Sequence, residues 1–551
     1  MKNRRVTQIL LTAVVVLLLS GCSSNSQSSS NSEKQGLSDT QEITIADSQE
    51  LNSIDPSNAV DSNSQEAINN IYEGLYRLDK NNKPIPEGAA ALPEISKDGT
   101  TYIIKLNKKS RWSNGDKVTA NDYIFAWKRA ITSKNAAENQ TFYTFIKNAD
   151  QIIAGKKTAS TLGAKAINDD TISITLNHAT PYFSSILANP VYYPLNEKYV
   201  NSKGKNFGSN SNNAIYNGPF ILTGFKGPGI GGNWTYEKNS NYWNKKSVKL
   251  NKINVEVLKD TNTAINLYKE GKLDQVAISG EYARQEASDP GFISKNAPTL
   301  AYITPNLSRK VYKNEKLREA LSLVIDRKQL ANNIIGDGSK PATGIVPNGL
   351  YFEPNTKQDF ANVSGNHLPT NIAKAKKLWD QVKKELHISS LTINLVTFDS
   401  DRMRTVSENY QNAVQSNLKG IKVNISVNPV SVFINKATSG NYDLALLTWG
   451  ADYPDASSLL KLFVSDSGNN WGKYASKTYD DAVKAADVTD ANNPEKRWTD
   501  LLKSQNIILK DYGVIPVYFQ SSSLLQNVKL KNVNFYSSGP SLDFKDAYLV
   551  K

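Results

Sequence analysis

The sequence predicts an α/β fold, in which helices cover a sheet of strands. Strand-like and helix-like segments alternate between Ile372 and Trp449. The apolar run Tyr442–Trp449 is typical of a buried central strand. The first half of the chain adds alternating, strand-like segments at Ile172–Leu176 and Ile253–Val257. A chain of this kind is expected to bury its strands beneath amphipathic helices.

In the first half, Tyr102–Leu106 predicts a strand, and Thr119 opens a helix with Asp122 three residues later as a variant capping box. The apolar face of that helix comprises Tyr123, Trp127, Ala130 and Ile131. The glycine-rich segment Gly227–Gly232 lies between two strand-like segments, Phe220–Phe225 and Trp234–Glu237. This order predicts a hairpin loop and not a phosphate-binding loop.

In the second half, two helices alternate with two strands before the apolar run. One helix face is formed by Ile372, Ala375, Leu378, Trp379, Val382 and Leu386, and the other by Val406, Tyr410, Val414 and Leu418. The intervening strand is Leu391–Phe398. Apolar residues then alternate with polar ones over Ile421–Val427, which predicts a further strand.

The amino terminus has the pattern of an exported protein. Residues 1–21 combine basic residues, an apolar run and small residues, as in a secretory signal peptide, and the apolar run is short for a membrane span. Residues 22–38 are almost entirely polar after Cys22, which predicts a disordered tether. The segment Leu19–Cys22 resembles a bacterial lipobox, and this implies a lipid on Cys22, the only cysteine. A chance cysteine after an ordinary signal peptide is the alternative.

The composition argues against several function classes. The formal net charge is +13, but basic residues are scattered among acidic ones, so we expect no nucleic-acid binding. The chain has three histidines, far apart, and neither metal-ligand spacing nor a nucleophile motif. We therefore expect no metal, no cofactor and no enzymatic activity.

Two acids follow the apolar run, which ends in Trp449. Ligands bind outside the carboxyl ends of strands in open α/β sheets, so this segment is the first candidate site. Asp455 precedes an amphipathic helix and is expected to cap it. Asp452 is not placed to cap a helix. It either binds a cationic group of a ligand or stabilises the turn at Pro454. Trp449 either lines a ligand pocket or packs in the core.

An ordered set of further segments occurs along the chain: Leu51–Pro56, Ile71–Leu75, Trp112–Tyr123, Tyr216–Phe220, Leu317–Leu321, Ile325–Arg327 and Trp449–Asp455. Together they resemble the solute-binding lipoproteins of oligopeptide ABC importers, a family with three lobes. They occur in the order of the family and span nearly all of the mature chain.

The resemblance implies a periplasmic-binding-protein-like architecture in which two lobes close on a peptide. A discontinuous lobe I would comprise residues 39–73, 197–278 and 520–551. Lobe II would comprise residues 74–196, and lobe III residues 279–519. The family also implies delivery of the peptide to an ABC permease. The lipobox and the lack of a thiol for disulfides suit the outer face of the membrane of a Gram-positive-type bacterium, and we expect a monomer.

The resemblance further implies roles for particular residues. Asp452 would pair with the α-ammonium group of the ligand, beside Trp449. The segments Trp449–Ala451, which includes Gly450, and Asn58–Ser62, which includes Val60, would hydrogen-bond the peptide main chain.

One family feature, a basic residue shortly before the tryptophan, is absent, because Leu444–Leu447 is wholly apolar. Arg309 lies at another family position that can meet the ligand carboxylate, although a solvated surface arginine is an equal alternative. The alternatives for the function are a receptor for one signalling peptide and a surface adhesin or scaffold.

Overall fold

The structure is a computed structural model that describes residues 36–132, 137–536 and 542–551. The predicted signal peptide, Cys22 and most of the predicted tether lie outside these residues. The strands are β1 Glu42–Asp47, β2 Tyr76–Leu78, β3 Pro84–Pro86, β4 Glu94–Ile95, β5 Thr101–Lys105, β6 Ala164–Asn168, β7 Thr171–Thr175, β8 Phe220–Thr223, β9 Trp234–Lys238, β10 Lys252–Val257, β11 Gln275–Ile278, β12 Phe292–Pro305, β13 Lys340–Pro341, β14 Leu391–Phe398, β15 Ile421–Asn428, β16 Leu444–Gly450, β17 Ile515–Gln526, β18 Leu530–Lys531, β19 Asn534–Phe535, β20 Leu542–Asp543 and β21 Tyr548–Leu549.

The α-helices are α1 Ser62–Ile71, α2 Ala120–Thr132, α3 Ala137–Gln140, α4 Ala149–Ile153, α5 Phe183–Ile186, α6 Glu197–Lys203, α7 Thr261–Lys269, α8 Gly280–Gln285, α9 Glu315–Leu323, α10 Arg327–Gln329, α11 Phe360–Ser364, α12 Ile372–Leu386, α13 Asp401–Asn417, α14 Val430–Thr438, α15 Ser457–Leu460, α16 Lys477–Lys484 and α17 Pro494–Lys510. Helices and strands mix along the whole chain, so the predicted α/β class is confirmed.

A large mixed sheet organises the described part of the chain. Its strand order is β15-β14-β16-β12-β17-β11-β1-β10-β9-β8, and β13 pairs with β17 beside this path. The strands β14, β15 and β16 run parallel to one another, as do β1, β10 and β11. The long strands β12 and β17 lie between these two groups and pair antiparallel with each other. They therefore connect the two halves of the sheet.

A second, four-stranded sheet has the order β4-β5-β7-β6. We call residues 94–186, which contain this sheet and α2 to α5, the small-sheet region. We call residues 292–519, from β12 into β17, the carboxyl-terminal region. The core of the small-sheet region is continuous with that of β1, α1 and β8 to β10.

The predicted central strand is confirmed as β16, and its position explains its composition. Ala445 and Leu447 pack into the core on one face of the sheet, and Leu444 and Leu446 into the core on the other. Side chains alternate between the faces of a strand, so a strand with helices on both faces needs apolar residues throughout. Burial on both sides accounts for the absence of a basic residue here.

The other predicted elements are also found, with one correction at the amino terminus. The hairpin around the glycine-rich segment consists of β8 and β9, which pair antiparallel. The Asp122 carboxylate accepts a hydrogen bond from the Thr119 amide at 2.8 Å, as the capping box predicts. The predicted tether is wrong at its end: Leu37 forms a β-bridge with Val550, and the Ser38 amide donates to Leu549.

Candidate functional site

The loop that follows β16 is fixed by Asp455. Its carboxylate accepts two hydrogen bonds from the Arg497 guanidinium, at 2.9 and 2.7 Å, and one from the Ser457 amide at 2.9 Å. Asp455 thus holds the start of α15 and ties it to α17. The N-cap position of α15 is Ala456, one residue later than predicted. The Asp452 amide donates to the Ser458 hydroxyl at 2.8 Å, so the backbone on both sides of the turn is restrained.

The Asp452 carboxylate differs from that of Asp455 because it has no partner in the part of the chain that the structure describes. The residue is exposed, and within residues 36–132, 137–536 and 542–551 no ion pair or hydrogen bond reaches its carboxylate. The turn-stabilising alternative would need such a bond. Protein nevertheless surrounds the group on most sides, and this desolvation raises the pKa of Asp452 to about 6. A poorly hydrated carboxylate that solvent still reaches is suited to a cationic ligand group.

A second loop, which leads into α1, is held by another buried acid. The Asp55 carboxylate accepts hydrogen bonds from Arg129 at 2.9 and 2.7 Å and from the Ser57 amide at 3.0 Å. The loop then exposes Val60, with 46% of its surface accessible, and Ser62. Asp55 therefore fixes the segment that the family resemblance assigns to the peptide main chain.

A cavity of about 670 Å³ brings the two loops together. Ser62 lines it on one side, and Gly450 and Ala451 on the other. Much of the remaining wall comes from the ends of β1 and β11 and from β12 and β17, including Lys295 and Thr299, and α1 contributes Glu66. Its volume falls in the range of small-molecule sites, about 300–1,000 Å³. Val60, Trp449 and Asp452 are not among the lining residues. Trp449 and Asp452 are adjacent in sequence to Gly450 and Ala451, and Val60 lies two residues before Ser62.

Two acids of this cavity were not anticipated from the sequence. Burial raises the pKa of Glu66 to about 8, and the neighbouring charge of Asp47 contributes to the rise. Burial also raises the pKa of Asp47. Asp47 ends β1, which runs parallel to β10, so the rule about strand ends could have identified it. Glu66 lies within α1, where no sequence pattern marked it.

Trp449 has the core environment that was one of its two expected ones. It is half-buried against the core of the carboxyl-terminal region, and its ring meets that of Trp471 edge to face at a centroid distance of 6.2 Å. Trp449 is not among the residues that line the cavity, although its neighbour Gly450 is. Its role as a pocket wall therefore stays a prediction.

Arg309 lies apart from these residues. Its guanidinium donates to the Asp443 carboxylate at 2.6 Å, at the start of β16, whereas Gly450 ends that strand. A strand advances about 3.3 Å per residue, so the two positions are about 20 Å apart. The structure does not bring Arg309 to the cavity, and we leave it out of the proposed site.

Within the described residues, no group of three or more His, Cys, Asp or Glu side chains is placed to hold a metal ion. A search of the same residues for a helix of membrane-spanning length and hydropathy finds none.

Comparison with known proteins identifies the family of the chain. The family described as "Bacterial extracellular solute-binding proteins, family 5 Middle" matches residues 83–471. The dipeptide-binding protein of Lactococcus lactis subsp. cremoris (strain MG1363) is 35% identical over 515 residues, which cover 90% of this chain and 92% of that protein.

Solved structures show the same likeness. OppA of Listeria monocytogenes bound to peptide has a TM-score of 0.77 and 37% identity, and the match covers 93% of this chain and all of that one. The pheromone receptor PrgZ, whose mode of peptide binding is known, has a TM-score of 0.78 and 35% identity, with the same coverage. The fold is periplasmic-binding-protein-like, and the chain belongs to family 5 of the bacterial extracellular solute-binding proteins.

Proposed function

We propose that the chain binds oligopeptides in the cavity beside Asp452 and delivers them to an ABC permease for import. The observation that carries this proposal is the Asp452 carboxylate, which is desolvated yet lacks a protein partner among the described residues. A ligand ammonium group supplies the missing partner, and charge-assisted hydrogen bonds of this kind are strong.

In this proposal the peptide lies as an added strand in the cavity. The backbone of Trp449–Ala451 would bind one side of its main chain, and that of Val60–Ser62 the other. Main-chain recognition is independent of side chains, so many sequences can be accepted. Lobe I (39–73, 197–278, 520–551) and lobe III (279–519) would close on the peptide, with lobe II (74–196) beside them. The relatives described as dipeptide-, oligopeptide- and peptide-binding proteins support this proposal.

The test compares a free five-residue peptide with the same peptide acetylated at its amino terminus. Because a bound ligand stabilises the folded state by mass action, the free peptide should raise the melting temperature and the acetylated one should raise it much less. The amidated peptide is the matched control, since it keeps the ammonium group. Equal stabilisation by the free and acetylated peptides would refute the role of Asp452.

A second candidate function is that of a receptor for one signalling peptide. The likeness to the pheromone receptor PrgZ favours it. The two functions differ in selectivity: an importer should bind most members of a random pentapeptide pool, whereas a receptor should retain one sequence. Mass spectrometry of peptides retained from such a pool separates them.

The proposal includes an anchor at Cys22 on the outer face of the membrane. A lipid there would hold the monomeric binding protein near its permease at high effective concentration. Cys22→Ser should leave peptide affinity unchanged and should release the protein into the medium, as an immunoblot of cell and medium fractions would show. Full retention of this variant on cells would contradict the anchor.

A further inference from the structure

The side chain of Tyr453, the residue after Asp452, packs outside the carboxyl-terminal region to which the residue belongs. Among the described residues between β12 and β17, it is the one whose side chain joins the core that includes the small-sheet region. It is 7% exposed. Its neighbours Ala451 and Ala456 pack instead into the core of the carboxyl-terminal region. Tyr453 therefore connects two cores that are otherwise separate at this point.

The contact that Tyr453 makes is aromatic. Its ring stacks on that of Tyr182 at a centroid distance of 4.6 Å, with 3° between the planes. Phe145 meets both rings edge to face, at 6.2 Å from Tyr453 and 6.0 Å from Tyr182. Both stacked and edge-to-face arrangements are favourable for aromatic pairs. We call Phe145, Tyr182 and Tyr453 the aromatic clasp; the first two belong to the small-sheet region.

Charged groups of the carboxyl-terminal region surround the clasp. The Arg497 guanidinium lies 5.2 Å from the centre of the Tyr182 ring, and the Lys461 ammonium 5.6 Å from that of Phe145. Both distances suit cation–π attraction. Asp455 pairs with Arg497, and Asp487 with Lys461, so the cations add no net charge to the contact.

Side chains, and not paired strands, hold the two sides of the clasp together. Besides the ring faces and the two cations, the Tyr182 hydroxyl donates a long hydrogen bond to Asp487 at 3.3 Å. Elsewhere between the two regions, the Asn492 side-chain amide donates to the Asp98 carbonyl at 2.8 Å. The strands of the small sheet pair only with one another in the described residues, so no shared strand fixes the small-sheet region to the carboxyl-terminal region. Separation of the two regions would expose the Tyr453 ring and disturb the turn that carries Asp452.

We propose that the aromatic clasp closes the ligand cleft at the amino terminus of the bound peptide and determines how slowly the peptide leaves. The inference rests on the proposed function, because it places the peptide ammonium at Asp452, one residue from the clasp. Tyr453 is a positioning residue, which acts through Asp452 and does not itself bind the ammonium group.

The test compares Tyr453→Ala with Tyr453→Phe in the full-length protein. Alanine removes the stack, whereas phenylalanine keeps it and loses only a hydroxyl that lies 3.5 Å from the Ser457 hydroxyl. With a pentapeptide labelled at its carboxyl end, Tyr453→Ala should release the peptide at least about tenfold faster, with its association rate changed less than about threefold. Tyr453→Phe should release it at the wild-type rate.

A second measurement reports the contact directly. Spin labels at Lys156→Cys, in the small-sheet region, and Lys377→Cys, on α12, are attached in a Cys22→Ser background; both lysines are exposed. Tyr453→Ala should lengthen or broaden the distance between the labels even at saturating peptide, and Tyr453→Phe should not. An unchanged release rate and an unchanged distance in folded Tyr453→Ala would overturn the clasp.

Failure of the proposed function would look different. In that case the wild-type protein would bind none of the peptides. The label distances in the protein without added peptide would still decide the inference, because they report the contact between the rings directly. If Tyr453→Ala leaves the distance between the labels unaltered in the protein without peptide, the inference of a clasp is overturned. A longer distance in that variant would support it.

Discussion

Asp452 and Asp455 lie three residues apart, and their environments are opposite. Asp455 is 2% exposed and pairs with Arg497, which is equally buried. Asp452 is open to solvent and has no partner among the described residues. The first acid has the environment of a structural group and the second that of a binding group. The comparison shows that the presence of an ion-pair partner, more than burial alone, distinguishes a structural acid from a binding acid in this short segment.

The largest expected effect is on Asp455. Asp455→Asn leaves the Arg497 guanidinium buried without its counter-charge, which should lower the free energy of unfolding by about 3–5 kcal/mol. Urea denaturation followed by tryptophan fluorescence measures this loss. The exposed Asp466 is the control, and Asp466→Asn should change the free energy by less than about 0.5 kcal/mol. If Asp455→Asn lowered the free energy of unfolding no more than Asp466→Asn does, Asp455 would not be the structural acid of the pair.

The next effect is on Asp452, and it should appear in binding and not in stability. Asp452→Asn should weaken the binding of a peptide with a free amino terminus by about 2–5 kcal/mol, as expected when a buried charge pair loses one partner. The ligand-free protein should melt no lower than the wild type at neutral pH, because the neutral amide avoids the desolvation of the carboxylate. Calorimetric titration measures the loss of peptide affinity, and a melting curve without peptide measures the stability. An Asp452→Asn protein with a lower melting temperature and normal peptide affinity would show that Asp452 is a structural acid and not a binding one.

The third prediction concerns pH. Burial raises the pKa of Asp452 to about 6 in the free protein, and an ammonium partner would lower it in the complex. Protonation therefore competes with the ligand, so affinity should be constant above pH 7 and should fall below pH 6 by up to about tenfold per pH unit. Isothermal titrations from pH 5 to 8 with the Asp452→Asn protein as control measure this. A wild-type profile as flat as that of the variant would argue against an ionised Asp452 in the complex.

The sequence predicted the local features of this segment but not its long-range ones. The apolar run, the strand end and the contact of Asp455 with the start of α15 follow from neighbouring residues, and all three are present in the structure. Arg497 is 42 residues from Asp455, on a different helix, so no local pattern could reveal their pairing. For the same reason the stack of Tyr453 on Tyr182 was not predicted. Local patterns left the role of Asp452 open because that role depends on the absence of a partner.

Sequence position alone also misplaced one residue. Arg309 matched a family position for a ligand carboxylate, but the chain turns after β12 and brings it to Asp443, at the far end of β16 from Gly450. Its side chain is 41% exposed, whereas that of Asp443 is 8% exposed. Position along the sequence does not report which end of a strand a side chain reaches.

The smallest expected effect therefore concerns Arg309. Arg309→Ala should change the affinity for free-amine peptides less than about twofold, because the residue lies about 20 Å from the cavity. It should lower the free energy of unfolding by about 1 kcal/mol, the upper end for a partly exposed ion pair. Arg309→Lys keeps the charge and should behave as the wild type in both measurements. A loss of affinity that disappears when the peptide is amidated would instead place the ligand carboxylate at Arg309, and the cavity would then have to extend along the whole of β16.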